Sequence, residues 1–273
     1  EAHYNLGIIL RDLGKLQDAE FSYRKAIELK PCFAEAYSNL GIILNDLGKL
    51  QEAEISYRKA IGLKPDLAEA YYNLGNILRD LGNLQESEIP YRKAIDIKPD
   101  YAEAHLNLGN VLKELGNLQE AEISYRKAIE IKPDFAMAHL NLGIILIDLD
   151  NLQEAELSTR KAIKIEPDFA YAHLNLGAIL KNLGNLKDAK ISTRKAIEIK
   201  PNLSKAYFDL SLLMINVEND NLLRYLFSQE ILESKENIEK SNQADIYFAR
   251  GNILEKKEDY KESYKMFRKA NLI

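Results

Sequence analysis

The chain has 273 residues, 46% of them hydrophobic, a net charge of −5 and a single cysteine, Cys32. No apolar run approaches the roughly 18 residues that a membrane-spanning helix requires, and the opening residues lack the pattern of a secretory leader. One cysteine cannot close an internal disulfide, and the acidic balance argues against a phosphate-backbone partner, so a protein of the reducing cytoplasm, binding neither membrane nor nucleic acid, is expected.

One 34-residue pattern then accounts for almost the whole chain. Its copies run 1–33, 34–67, 68–101, 102–135, 136–169 and 170–203, followed by a degenerate copy at 204–237, a joint at 238–243 and a terminal copy at 244–273. A fixed period of this length is the signature of a solenoid. With Ala34, Ala68 and their equivalents counted as position 1, Glu1 stands at position 2, so the chain opens within a repeat.

Each repeat reads in the same order. Positions 4, 7, 8 and 11, seen in Tyr71, Leu74, Gly75 and Leu78, describe one buried face of a first helix, A. Glycines 14, 48, 82, 116 and 184 follow where a helix ends in the left-handed conformation. Positions 20, 24, 27 and 28, as in Ala121, Tyr125, Ala128 and Ile129, mark a second helix, B, which stops at Pro31, Pro65, Pro99, Pro133, Pro167 or Pro201. Asp66 with Glu69, and Asp100 with Glu103, have the spacing of capping boxes for the next A helix.

Departures from the pattern carry their own expectations. Pro90 falls inside the third B helix, removes a backbone partner from Glu86 and predicts a kink. Thr159 and Thr193 replace the position-24 tyrosine and Asp150 the turn glycine, which predicts looser packing in repeats five and six. Ser211 and Leu223 break the pattern in repeat seven and predict a bent joint. Neither end carries a polar capping helix, so both are expected to continue in a longer protein.

Tyr or His at position 4, Leu-Gly at 7 and 8, Ala at 20, Tyr at 24, Ala at 27 and Pro at 32 together resemble the tetratricopeptide repeat (TPR). The resemblance covers nearly the entire chain and implies an all-α, right-handed superhelical solenoid of antiparallel helix pairs, about eight repeats, with a groove lined by A helices. The array is similar to that of O-linked N-acetylglucosamine transferase and of bacterial fusions with sulfotransferase or glycosyltransferase domains.

Enzyme chemistry finds no foothold. His3, His105, His139 and His173 all occupy position 4, a packing site alternating with Tyr37, Tyr71 and Tyr207, so metal ligation is not expected. Every glycine belongs to the repeat pattern except Gly62, which leaves no phosphate loop. The recurrent helix-B serines read as surface positions, and neither a Ser-His-Asp nor a Cys-His set stands out, so no catalytic residue and no cofactor are assigned. The Arg-Lys pairs at 58–59, 92–93, 126–127 and 160–161 are preceded four residues earlier by Glu54, Glu88, Glu122 and Glu156, the spacing of intrahelical ion pairs rather than of a basic stripe.

The remaining face of helix A holds positions 2, 6, 9 and 13. Position 6 is Asn5, Asn39, Asn73, Asn107, Asn141 and Asn175, then Asp209, where solubility alone would accept any polar residue. A carboxamide offers a donor and an acceptor, matching the N–H and C=O of an extended peptide. With A helices about 10 Å apart and an extended chain advancing about 3.3 Å per residue, one asparagine meets roughly every third peptide residue.

Asn76, Asn110, Asp80, Glu114, Arg79 and Lys113 complete the candidate groove, whose N-terminal part is expected to be acidic through Glu35, Glu69, Glu103, Asp12 and Asp46. Further on, Met137, Leu140, Ile144, Ile147, Tyr171, Leu174 and Ala178 predict apolar anchoring. The carboxylate-clamp arrangement of related domains is absent, since Glu and Asn occupy positions 2 and 6. The function expected is a scaffold binding extended peptide or protein segments through the asparagine ladder. The alternative is the substrate-recognition arm of a larger bacterial transferase, and self-association through open solenoid ends is a further partner mode. Alanine at Asn73, Asn107 and Asn141 is expected to weaken peptide binding without changing stability.

Overall fold

A computed structural model describes residues 1–214, 221–237 and 239–273 of the chain. It separates into two compact units, Glu1–Pro133 and Asp134–Ile273. In the first, α1 (Ala2–Asp12), α3 (Ala34–Asp46), α5 (Ala68–Asp80) and α7 (Ala102–Glu114) are the A helices, and α2 (Leu16–Leu29), α4 (Leu50–Leu63), α6 (Leu84–Ile97) and α8 (Leu118–Ile131) are the B helices. In the second, α9 (Ala136–Asp148) pairs with α10 (Leu152–Ile165) and α11 (Ala170–Asn182) with α12 (Leu186–Ile199), and α13 (Ser204–Leu213) follows. Then come α14 (Asn221–Phe227), α15 (Glu230–Glu233), a 3₁₀ turn (Lys235–Asn237), α16 (Lys240–Lys256) and α17 (Tyr260–Leu272). Among the described residues there is no strand, and no helix is long and apolar enough to cross a membrane.

Each A–B pair is locked by one steric match. A Cβ placed on Gly41, Gly75 or Gly109 would stand 2.6–2.7 Å from Cε1 of Tyr57, Tyr91 or Tyr125, so glycine at position 8 is the seat of the tyrosine at position 24. These rings are almost fully buried, together with Ala53, Ala60, Ala121 and Ala128, whose small side chains let the helices approach. Helices α3, α5 and α7 are also covered by α2, α4 and α6 of the preceding repeats. Ile43, Ile77 and Val111 are therefore buried, whereas Ile9 on α1, with no preceding helix, is 56% exposed.

The turns behave as expected. Gly82, at φ 82°, donates to Arg79 O at 2.8 Å while Asn83 N donates to Leu78 O at 2.8 Å, the paired bonds of a Schellman ending. Asp150 adopts the same left-handed conformation, at φ 58°.

Four expectations need correction. The capping boxes do not form: α5 and α7 begin after Leu67 and Tyr101, which place Asp66 and Asp100 one residue too early, and no side chain caps either helix. Glu35, Glu69 and Glu103 instead pair with Lys64, Lys98 and Lys132 at 3.0, 3.9 and 3.5 Å. The helix-B serines are not surface residues. Ser56, Ser124, Ser158 and Ser192 are buried because position 23 faces the A helix of its own repeat, as Ser158 Oγ shows by donating to His139 O at 2.9 Å.

Helix α6 runs through Pro90 as one 14-residue element, so the proline does not end it. Nor do the threonine repeats gape: Thr159 and Thr193 are wholly buried, and a Cβ on Gly143 would collide with Thr159 Oγ1, so the shorter side chain is met by a closer partner. Finally, Leu140 and Leu174 lie in the core rather than on the groove.

Residues 215–220 of the degenerate repeat and residue 238 of the joint lie outside the described residues. Around them, α13 and α16 pack directly and in parallel, because Asn252 Nδ2 donates to Ser211 Oγ at 2.9 Å and Lys256 Nζ caps the carbonyls of Ser211 and Met214. Arg250 is buried beneath the same joint and donates to Leu226 O at 2.8 Å and Ser228 O at 2.6 Å, closing carbonyls that short helices leave open.

Candidate functional site

The A-helix face of the N-terminal unit carries Asn5, Asn39, Asn73 and Asn107 on four successive helices. Asn5 is exposed and the other three are half-buried. Their amides are not equivalent. Asn39 Nδ2 donates to Tyr4 Oη at 3.1 Å and Asn107 Nδ2 to Tyr72 Oη at 3.1 Å, each reaching back one repeat to the residue at position 5. At position 5 the second repeat has Ser38, too short to reach, and Asn73 has no hydrogen-bonding partner among the described residues. In this unit the ladder thus alternates between amides engaged in repeat-to-repeat contacts and amides without such a contact.

The aromatic residues that create this alternation are themselves held. Tyr4 packs on Phe33 at 4.7 Å between ring centroids and on Tyr23 at 5.9 Å, and Tyr72 packs likewise on Tyr101 at 4.9 Å and Tyr91 at 6.0 Å. These edge and tilted arrangements are the favoured ones for aromatic pairs.

Asn76 and Asn110 sit one turn further along and serve the core as well as the face. Asn76 Oδ1 accepts from Tyr91 Oη at 2.7 Å and from Asn107 Nδ2 at 2.9 Å, and Asn110 Oδ1 accepts from Tyr125 Oη at 3.0 Å. Burial pushes the Tyr57, Tyr91 and Tyr125 phenols well above the usual tyrosine range, so they remain donors throughout the physiological span. In the first repeat position 9 is Ile8, and the buried Tyr23 hydroxyl has no partner.

Charges on this face are more balanced than composition suggests. Arg79 stands 3.1 Å from Asp80 and Arg11 3.2 Å from Asp12, while Glu35 and Glu103 are held by Lys64 and Lys132. Lys113 is half-buried and Glu114 exposed at the end of α7. The expected acidity is therefore largely neutralised by intramolecular pairs.

In the C-terminal unit Asn141 and Asn175 are half-buried on α9 and α11, and Asp209 is buried on α13 with Lys205 Nζ at 3.7 Å. Asp245 on α16 lies near Asp209 and Lys205, and its own burial raises its carboxyl above the usual range. Met137 and Tyr171 are the apolar groups exposed on this part; Tyr171 Oη accepts from Lys200 Nζ at 3.2 Å, with the ammonium 5.1 Å from the ring centroid. Position-4 histidines have loop partners: His105 Nε2 lies 3.0 Å from Pro99 O and His173 Nε2 2.9 Å from Pro167 O. Among the described residues no group of three or more His, Cys, Asp or Glu has a metal-binding arrangement.

Models of the tetratricopeptide repeat match residues 1–31, 32–100, 66–134, 124–156, 159–191 and 244–273. No curated protein matches the chain. Among solved structures, the chain is similar to YrrB, a TPR protein with an unusual peptide-binding site, at 27% identity and TM-score 0.58, covering 66% of this chain and 92% of that one. It is similar to MamA at 30% identity and TM-score 0.57, covering 60% and 96%. A TPR protein from Parabacteroides merdae shares the fold over 98% of both chains, at 21% identity and TM-score 0.67. With all-helical architecture, the glycine–tyrosine lock and these matches in agreement, the chain belongs to the tetratricopeptide repeat family.

Proposed function

We propose that the protein is an interaction scaffold that holds an extended peptide segment against its A-helix face, reading the peptide backbone through the open amides of the asparagine ladder. The observation that carries this reading is Asn73: a half-buried carboxamide, flanked by two tethered ones, with no protein partner for its donor or its acceptor. A half-buried amide left unpaired is costly unless a ligand or solvent satisfies it, and a peptide bond matches its donor–acceptor pair. Similarity to YrrB, a protein with a peptide-binding site, supports the same reading.

Asn5 and Asn73, two repeats apart, lie roughly 20 Å from each other, the reach of about six extended residues. The contact is therefore sparse and tolerant of side-chain identity.

Peptide-array binding tests it. Asn73→Ala is expected to reduce retained signal across many sequences about 5- to 10-fold, the effect of one or two lost hydrogen bonds. Ser38→Tyr, which supplies the partner that Asn39 and Asn107 already have, is expected to do the same without removing the amide. Binding unchanged by both substitutions would overturn the reading.

A further inference from the structure

The opposite face of the N-terminal unit carries a second periodic feature, independent of the ladder. Position 22 is Phe21 on α2, Ile55 on α4, Ile89 on α6 and Ile123 on α8, and these large apolar side chains are 62, 68, 71 and 66% exposed. One exposed isoleucine is ordinary, but four in register form a continuous ridge of the kind that marks an interaction surface. Beside Ile55, Ile89 and Ile123 lie three pockets, each lined by one B helix and the next. The first, about 600 Å³, has Ile27 and Ile55 as walls and Leu40 and Leu44 below; the others, about 490 Å³ each, are walled by Ile61 and Ile89 and by Ile95 and Ile123.

Charge flanks the ridge without giving it a sign. Arg24 bridges Glu20 at 2.9 Å on its own helix and Glu52 at 2.6 Å on the next. Arg58 repeats the arrangement with Glu54 at 2.8 Å and Glu86 at 3.6 Å, as does Arg92 with Glu88 at 2.7 Å and Glu120 at 2.6 Å. The unpaired charges beside the pockets, Lys59 at the first and Asp96 at the third, are of opposite sign, so the face has no single-sign field for a strongly acidic or basic partner. A surface with the same balanced rails meets no like-charge field.

We propose that this face is a self-association surface on which a second copy of the chain packs in reverse direction, its position-22 side chains entering the pockets beside those of the first. Commensurability is the reason for choosing a second copy. Ridges and pockets share one period because both arise once per repeat, and only a partner with that same period can fill successive pockets without accumulating mismatch. In the reversed copy three ridge residues can face the three pockets in both directions, which is the self-complementarity that a two-fold interface demands.

The scale is adequate. Complete burial of one such side chain removes roughly 100 Å² of apolar surface, so the two-thirds exposure of three inserted residues in each copy amounts to about 400 Å², a fitting dry centre for a specific interface of about 1,600 Å² in total.

Sedimentation equilibrium of the full chain from about 1 to 500 µM, the range in which an association of this size is expected, tests the proposal. The wild-type chain should approach twice the monomer mass with rising concentration. The triple variant Ile55→Glu/Ile89→Glu/Ile123→Glu should remain monomeric over the same range, with an unchanged helical circular dichroism spectrum because all three positions are solvent-exposed. Asn73→Ala should associate like wild type, which separates this surface from the peptide-binding face. A wild-type chain that stays monomeric throughout overturns the proposal and leaves the ridge to a different partner; a triple variant that still dimerises overturns it by placing the contact elsewhere.

Discussion

Gly75 and Tyr91 show how much of a repeat protein rests on single residues. A methyl group on Gly75 would stand 2.7 Å from Tyr91 Cε1, so the ring or the helix must shift. Gly75→Ala, ordinarily favourable in a helix, is here expected to destabilise by about 1–3 kcal/mol, the range for overpacked cores, as read from urea unfolding. The tyrosine hydroxyls are separable from their rings. Tyr91→Phe removes one of the two donors to Asn76 Oδ1 and should cost about 1 kcal/mol, whereas Tyr23→Phe removes a buried hydroxyl that has no partner among the described residues and should be neutral or stabilising. His105 is held below the ordinary histidine pKa by burial, despite its bond to Pro99 O. A histidine with a depressed folded pKa stays neutral in the fold while the unfolded chain takes up a proton. Its contribution is therefore present above about pH 6.5 and falls away as pH drops through that value toward the folded pKa. Denaturation midpoints at neutral and mildly acidic pH should differ less for His105→Tyr, the residue that Tyr37 and Tyr71 place at this position, than for the wild-type chain.

At the scale of elements, two kinds of seam join one repeat to the next, and they differ in strength. On the B-helix side the Arg–Glu chain is largely exposed, so each link is worth only about 0.2–1 kcal/mol and is weakened by salt. On the A-helix side Asn107 donates to both Tyr72 and Asn76 in a half-buried setting. Asn107→Ala should therefore lower stability by about 1–2 kcal/mol in thermal or urea unfolding, while Asn73→Ala leaves it nearly unchanged. This difference revises the expectation that all ladder asparagines are dispensable to the fold. The ladder itself was legible from periodicity, since Asn at position 6 recurs at a fixed place. The division of labour was not, because it depends on whether a tyrosine from the neighbouring repeat, distant by 35 residues, reaches the amide.

Across the whole chain, contacts run mainly between helices adjacent in sequence, and each unit has cores of its own. A quasi-one-dimensional architecture transmits damage to neighbours first. Hydrogen exchange of Gly75→Ala should accordingly show faster amide exchange in α5 and α6, less change in α4 and α7, and near wild-type protection in α11 and α12; uniform loss across all repeats would contradict nearest-neighbour stability. The atypical seventh repeat adds a different dependence. Asp245 is raised by burial near Asp209 and Lys205, so ionising it opposes folding. Asp245→Asn should make the chain more stable than wild type at neutral pH, with the advantage vanishing in acid, where the wild-type carboxyl is protonated.

The repeat period, the turn glycines and the helix-ending prolines were determined by local chemistry, because each follows from backbone conformation or helical periodicity alone. Tertiary structure decided which side of each helix counts as surface. A single stripe suggests one buried face, but an A helix also packs on the repeat that follows, so its buried arc takes in Leu140, clustered with Phe169 and Ala172, and Leu174, clustered with Leu203 and Ala206. By the same packing, the polar Ser56 and Ser124 were drawn inside and the apolar Ile55 and Ile123 left in solvent, an inversion of their chemical preference. Position 23 faces an approaching helix that only a small side chain admits, and no element of the N-terminal unit covers position 22.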